Sequence, residues 1–395
     1  KKAVSARFGS ANGFSEKEHK RKIRLSPAEL CFFPGNVLPE PCERVFRFET
    51  KPVTFFTFII QESERLDTSM LEWIHQNLPF ILAGISVGGQ YALIAIGYTM
   101  VYGILRLINF AHGDIFMVSG VVMVYATTLF TRQFPNNPGV VLVMAILFVI
   151  GLTVLLGFCT EKIAYKPLRS APRMSVMISA IGVSYLLQNL VYYITGGLNQ
   201  NYPTIPWISD TVKVLDKKVI TVTDPATGEA VEKVLNECVT KRVTLITPIL
   251  TLVLVIALVC LIRYTKIGMA MRAASKDFET SQLMGIRINK VISTTFVIGS
   301  FLAAVGSLLF FTNYTGVTPT SGAMPGLKAF VAAVFGGIGS IPGAVVGAFI
   351  IGICENIIKG LGWTTFSDAF TFALLIVILI VKPTGLFGEK VTDKV

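Results

Sequence analysis

The chain has 395 residues, of which 52% are hydrophobic and only 15% are charged, and its formal net charge is +11. Soluble domains carry about a quarter charged residues, so this composition excludes an ordinary soluble protein. The Lys and Arg residues lie in short loops between long apolar runs, where they set membrane orientation, and we therefore expect no nucleic-acid partner.

Residues 1–69 differ from the rest of the chain because they are charged, mixed in sign and contain five prolines. Their apolar stretch, residues 53–60, is too short to span a bilayer. We predict that residues 1–69 are disordered or are an extension foreign to the native protein, with a packed domain as the alternative. The membrane domain then covers residues 70–395.

Eight apolar runs follow, and each is long enough to be a membrane helix rather than a barrel strand. The sequence therefore predicts an all-α polytopic membrane protein with about eight transmembrane helices. Two of these helices are expected to be interrupted by Gly, Pro or polar residues, and a short extracytoplasmic insert completes the fold. The runs are 79–104, 115–131, 139–158, 174–196, 244–262, 291–312, 328–358 and 365–381.

The first interruption lies between the first two runs, at residues 109–114. It places Asn109, His112, Gly113 and Asp114 between two apolar segments, which is costly in lipid and marks a functional site. A catalytic site is one interpretation, but no nucleophile in a G-x-S-x-G elbow accompanies His112 and Asp114.

The second interruption lies inside run 328–358, which is too long for one span of about 30 Å at 1.5 Å per residue. Four glycines and a proline in eight positions do not hold a continuous helix. One such interruption in each half of the chain indicates a transport pathway, although a tight loop between packed helices is the alternative. The residues expected to line this part of the pathway are Gly336, Gly337, Gly339, Ser340, Pro342 and Gly343.

Charge in the loops predicts orientation. Loops 159–173 and 263–290 are basic and are expected in the cytoplasm, which leaves the insert 197–243 outside. Within that insert, residues 224–228 are typical of a turn between two short strands. The same count leaves both termini outside, whereas Lys382 favours the inside, so one run is open to being a helix pair.

The cytoplasmic loop contains a basic amphipathic segment, residues 264–290, that predicts a short helix ending at Gly285. Such a helix docks either on membrane lipid or on a cytoplasmic partner, and its sequence alone favours neither.

The chain lacks motifs for chemistry of its own. It contains no G-x-x-x-x-G-K-[ST] phosphate loop, no Rossmann fingerprint, no H-E-x-x-H and no Cys or His spacing for zinc. We expect no catalytic site, no cofactor and no metal, and any uphill transport then draws its energy from another polypeptide. An autonomous channel or secondary carrier for a small polar solute is the alternative function.

Beyond these arguments, the segment Tyr91–Gly120 reads YALIAIGYTMVYGILRLINFAHGDIFMVSG. It resembles the LivH-type permeases of bacterial branched-chain amino acid ABC importers. The resemblance covers nearly all of residues 71–395. It continues through EKIAYKPLRS, SAIGVSYLLQN, TKIGMAMRAASKDFETSQLMGI, GLKAFVAAVFGGIGSIPGAVVGA and PTGLFG.

The resemblance implies a multi-pass subunit in the cell inner membrane that carries Leu, Ile or Val, while related permeases carry other amino acids, amides or urea. It implies three kinds of partner: a second, LivM-like permease, two cytoplasmic ATPase subunits, and an extracytoplasmic substrate-binding protein. It also favours docking of the cytoplasmic segment on an ATPase subunit over docking on membrane lipid. The residues then expected to couple to the ATPase are Arg272, Ala273, Asp277, Glu279, Met284 and Gly285.

Overall fold

The computed structural model describes residues 52–169, 171–205, 207–216, 218–223, 230–235, 237–382 and 384–388. Within these ranges, eight helices are long and apolar enough to cross a membrane. The prediction of an all-α polytopic membrane protein is therefore confirmed. The prediction for the extension falls mainly on residues 1–51, which lie outside the described residues.

Eleven α-helices are described, and their ends follow the polar and Gly/Pro punctuation between the apolar runs. They are α1 (Pro52–Leu105), α2 (His112–Gln133), α3 (Pro138–Thr160), α4 (Arg173–Thr195), α5 (Arg242–Tyr264), α6 (Lys266–Lys276), α7 (Phe278–Leu283), α8 (Ile288–Asn313), α9 (Ala323–Gly336), α10 (Ile341–Gly360) and α11 (Ser367–Val381). A π-helix at Glu161–Tyr165 extends α3, and a 3₁₀ turn at Thr364–Phe366 precedes α11.

Within the described part of the chain, six short strands form three antiparallel pairs. They are β1 (Gln200–Asn201), β2 (Thr211–Leu215), β3 (Lys218–Thr223), β4 (Ala230–Leu235), β5 (Cys238–Lys241) and β6 (Gly316–Val317). The expected strands on either side of residues 224–228 are β3 and β4, while the turn itself lies outside the described residues. The pairing of β1 with β6 holds the segment before α9 against the insert.

Small residues bring the central helices into close contact. A Cβ added at Gly84 or Gly88 of α1 would lie 2.8 Å from the α10 backbone. A Cβ at Gly352 of α10 would lie 2.4 Å from the backbone nitrogen of Gly88. Such backbone contact supplies the dispersion energy that drives helix association in lipid, where no hydrophobic effect operates between helices.

The long apolar run 328–358 is two helices, α9 and α10, that pack antiparallel. A Cβ at Gly336 would meet Gly343, and one at Gly347 would meet the carbonyl of Ala332. The run therefore contributes two antiparallel segments instead of the single crossing counted from the sequence. The C-terminal segment consequently lies at the end of the molecule away from β1 and β6, where the charge of Lys382 favours it.

Candidate functional site

The first interruption lies slightly earlier than predicted. Helix α1 ends at Leu105, residues 106–111 are non-helical, and α2 begins at His112. The amides of Asp114 and Ile115 donate to the Ala111 carbonyl at 3.1 and 2.9 Å, so His112, Gly113 and Asp114 form the first helical turn. This corrects their placement within the break. An acidic residue suits this position because it faces the positive end of the helix dipole.

Asp114 is a carboxylate held by neutral donors inside the helical bundle. It is only 2% exposed. Its carboxylate accepts hydrogen bonds from the Ser184 hydroxyl and, at 2.9 Å, from Gln188 Nε2. Both donors lie on α4, four residues apart and thus on one helical face. The sequence reasoning missed them, although the i, i+4 spacing of two polar residues in an apolar run was a usable signal.

His112 fills a space that a glycine leaves open. The ring stacks edge-on against Tyr98 with centroids 5.1 Å apart. A Cβ added at Gly97 would lie 2.1 Å from His112 Nε2. Within the described residues, Nε2 has no hydrogen-bond partner. The imidazole is therefore positioned by packing between α1 and α2, and Gly97 is the residue that makes room for it.

Asn109 links the interruption to the π-helix. Its side-chain oxygen accepts a hydrogen bond from the Tyr165 hydroxyl at 2.5 Å. The π-helix is itself anchored by Glu161, which accepts from Arg169 and, at 2.8 Å, from Ser293 on α8. A single π turn shifts the side-chain register, as is common near functional sites, and here it aims Tyr165 at Asn109.

Gly113 lets α2 approach α9. A Cβ at this position would lie 2.8 Å from the Gly322 carbonyl oxygen and 3.1 Å from Gly326 Cα. Phe110 and Phe330 also contact each other, with ring centroids 6.4 Å apart. The polar turn at the start of α2 therefore packs against the N-terminal half of α9.

The second interruption is a backbone turn at the other end of α9. Gly337 and Gly339 adopt φ values of 107° and 99°. The Ser340 hydroxyl accepts from the Gly343 amide at 3.3 Å and caps α10, and Pro342 occupies the first turn of that helix. Gly336 and Gly343 are in backbone contact. These contacts make the segment a tight turn between packed helices.

The C-terminal segment closes this turn. The amides of Leu386 and Phe387 donate to the carbonyls of Phe335 and Gly336 at 3.0 and 2.9 Å. A Cβ at Gly337 would lie 2.5 Å from the Gly388 nitrogen. The carbonyls that α9 leaves free at its end are thus satisfied by the chain itself. The structure brings the first interruption together with α4 and the π-helix, and the second together with residues 384–388.

A partly buried ion network joins α9, α10 and α11, and Glu355 and Lys359 form one of its ion pairs at 2.6 Å. Lys328 of α9 also contacts Glu355 at 2.8 Å and Asp368 at 2.6 Å. The Tyr91 hydroxyl donates to Glu355 at 3.1 Å. Two cations and two carboxylates balance each other, which offsets the cost of burying charge in apolar surroundings. The sequence analysis missed Lys328, which stands at the very start of its apolar run.

Loop 263–290 holds two short helices, α6 and α7, where one helix was expected. The break is at Asp277, whose extended backbone and side chain cap α7 by accepting the Thr280 amide at 3.0 Å. Gly285 follows α7 with a φ of 86°, as expected for a helix stop. The apolar Leu283 and Met284 are 88% and 80% exposed.

Other residues of the expected coupling set have roles inside the loop. Arg272 donates to the Arg263 carbonyl at 3.2 Å and thereby caps the end of α5. Ala273 is half-buried and Glu279 is exposed in the first turn of α7.

Comparison with known proteins identifies the family of this chain. Residues 80–379 match the family described as the branched-chain amino acid transport system / permease component. The LivH permease protein of Salmonella typhimurium (strain LT2) is 36% identical over 79% of this chain and 96% of its own length. The BraD permease protein of Pseudomonas aeruginosa is 35% identical over 82% of this chain and 99% of its own length. The LivH permease protein of Escherichia coli (strain K12) is 36% identical over 79% of this chain and 96% of its own length. No solved structure matches the chain.

Proposed function

This chain belongs to the family of branched-chain amino acid transport permeases, and from that premise we propose that it is the membrane-spanning subunit of an ABC importer for Leu, Ile and Val. The observation that carries the proposal is similarity along 96–99% of the length of relatives named high-affinity branched-chain amino acid permease proteins. The proposed location is the cell inner membrane, with the outward faces of the helices in contact with lipid.

The proposed partners are a second, LivM-like permease, two cytoplasmic ATPase subunits and an extracytoplasmic substrate-binding protein. The chain has no phosphate loop of its own, so the energy for uptake is proposed to come from the ATPases. Helices α4 and α5 expose many apolar side chains, which supports a face for lipid or for the second permease. Examples are Tyr185, Leu186, Tyr193, Ile249 and Leu252.

The start of α2 is the proposed wall of the translocation pathway. Asp114 offers a carboxylate with no cation bonded to it among the described residues, so an α-ammonium group is a complementary ligand. Asn109, His112 and Gly113 complete this wall. We propose that the turn from Gly336 to Gly343 supports the pathway. Its backbone groups are hydrogen-bonded to the Ser340 side chain and to the C-terminal segment.

Helices α6 and α7 are the proposed coupling element for the ATPase. The exposed Leu283 and Met284 support this role, since truncating the apolar contacts of an interface weakens it. We expect Met284→Ser to lower uptake-coupled ATP hydrolysis several-fold while membrane insertion persists. Met144→Ser, on an exposed position of α3, is the matched control. Unchanged coupling in Met284→Ser would count against this assignment.

The proposal is tested by uptake of labelled leucine, isoleucine and valine into proteoliposomes that hold the complete complex. ATP is enclosed and the binding protein is added outside. Uptake should require both components. Leucine flux without ATP or without the binding protein would instead support the second candidate, an autonomous channel or secondary carrier.

A further inference from the structure

A half-open cavity of about 490 Å³ lies beneath the first interruption. Its walls are Ile104–Leu107 at the end of α1, Tyr165 and Arg169 after α3, Val176 on α4, and Ala274–Glu279 from α6 and α7. This volume falls in the range of about 300–1,000 Å³ that is typical of small-molecule sites. The cavity therefore joins the end of α1 to the proposed coupling helices.

Arg106 supplies an unengaged guanidinium to this cavity. Its hydrogen bond of 2.7 Å to Tyr102 uses the backbone amide, and its side chain has no bonded partner within the described ranges. It is also a non-glycine residue with a φ of 52°, a conformation that costs free energy and is often kept at functional sites. Arg169, by contrast, is already bonded to Glu161 and Asn289.

Glu279 supplies the opposite charge from a different element. It lies in the first turn of α7, and its carboxylate forms no ion pair with the rest of the described chain. The neighbouring Asp277 is engaged in capping α7 through Thr280. Apolar surface from Ile104, Leu105 and Val176 completes the lining. Lys276 also lines the cavity, so the lining offers the Arg106 guanidinium, a second cation, the Glu279 carboxylate and an apolar wall. The guanidinium, the carboxylate and the apolar wall match a zwitterionic amino acid with an apolar side chain.

We propose that this cavity binds a cytoplasmic amino acid, with its carboxylate on Arg106 and its ammonium on Glu279, and that this binding slows import. The proposal rests on the proposed function and adds a regulatory site to it. The bound ligand would bridge the end of α1 and α7, which restricts the movement of the coupling helices relative to the first interruption. Tyr165 lines the cavity and bonds to Asn109, so the same ligand adjoins the pathway.

The test uses proteoliposomes holding the complete complex, with ATP inside and binding protein outside. Unlabelled L-leucine enclosed in the lumen should lower the initial rate of labelled leucine uptake several-fold. Enclosed 4-methylpentanoate, which lacks the ammonium, and 3-methylbutylamine, which lacks the carboxylate, should have little effect. Uptake into a lumen that contains ATP but no leucine reports the proposed function separately.

Arg106→Asn is the informative variant, because Asn tolerates the left-handed backbone while removing the charge. This variant should keep uptake into a lumen that holds ATP without leucine. It should lose the inhibition of uptake by enclosed leucine. The control is Arg132→Asn, an exposed position in the last turn of α2, which should retain inhibition. Inhibition that survives in Arg106→Asn, or an absence of inhibition in the unmodified complex, would overturn the proposal.

Two further measurements keep the proposal open to refutation if Arg106→Asn fails to assemble. Calorimetric titration of L-leucine into the solubilised complex, without binding protein, should give about tenfold weaker binding for Glu279→Gln, which corresponds to 1.4 kcal/mol. Equal binding would contradict the site. Uptake that responds to the phosphatidylethanolamine content of the vesicles, and not to enclosed leucine, would assign the cavity to a lipid headgroup and reject an amino acid.

Discussion

The two interruptions of the apolar pattern differ in what they present. The first carries buried polar side chains, namely Asn109, His112 and Asp114, and their contacts come from α1, α4 and the π-helix. The second presents mostly backbone, shaped by Gly337 and Gly339 and closed by residues 384–388. The first interruption positions polar side chains, and the second reverses the direction of the chain.

The difference teaches that a break in a membrane helix is not by itself a pathway. Freed backbone groups need partners in lipid, and at the second interruption a cap and the C-terminal segment supply them. At the first, the side chain of Asp114 accepts from two neutral donors among the described residues. The first interruption is therefore the contact that we propose for a transported ammonium group.

The largest expected effect concerns the backbone turn. Gly337→Ala combines an unfavourable φ, costing about 1–3 kcal/mol, with a clash against Gly388 that costs about 1–3 kcal/mol more. Gly339→Ala has a similar φ but open space, so only the first cost applies. Thermal unfolding of the purified complex should separate the two variants. Equal destabilisation by both would remove the structural role assigned to the C-terminal segment.

An intermediate effect is expected where Gly97 makes room for His112. Gly97→Ala should destabilise by about 1–3 kcal/mol through overpacking, because its Cβ would meet the imidazole. Gly103→Ala, on the same helix with nothing nearby, should be neutral or stabilising. The double variant Gly97→Ala/His112→Ala should recover stability in the same thermal assay. A double variant no better than Gly97→Ala would show that the ring does not occupy this space.

The smallest effect is expected at the donors to Asp114. Ser184→Ala and Gln188→Ala each remove one of two hydrogen bonds to the Asp114 carboxylate. Each loss should cost about 1.5 kcal/mol, the lower end for a bond to a charged group, or roughly tenfold in the uptake rate per assembled complex. Asn189→Ala is the control, since its amide bonds only within its own helix, to the Tyr185 carbonyl. If the donor variants take up leucine as fast as the control, α4 does not contribute to the site.

Much of the fold was predictable because lipid leaves few options. Apolar runs of sufficient length must be helices, and the eight spans followed from that rule. The split of run 328–358 was also expected from its glycines. The sequence left the side of the C-terminal segment open, because the antiparallel contact of Gly336 with Gly343 depends on packing.

The site was predictable only in part. The residues at 109–114 were identified by the cost of polar groups in lipid, but their partners Ser184, Gln188 and Tyr165 are 56 to 74 positions away. Spacing along one helix carries no information about which helix lies opposite. Lys328 was missed for the same reason, since its partners Glu355 and Asp368 come from two later helices.

The most direct test of the central claim is labelled leucine uptake per assembled complex for Asp114→Asn, measured beside Gly339→Ala. Asp114→Asn keeps the size of the side chain and removes the charge, and a hydrogen bond to a charged group is worth about 1.5–3 kcal/mol, so uptake should fall about tenfold or more with assembly intact. Gly339→Ala should lose uptake only in proportion to lost complex. Normal uptake by Asp114→Asn, with selective loss in assembled Gly339→Ala, would contradict the account.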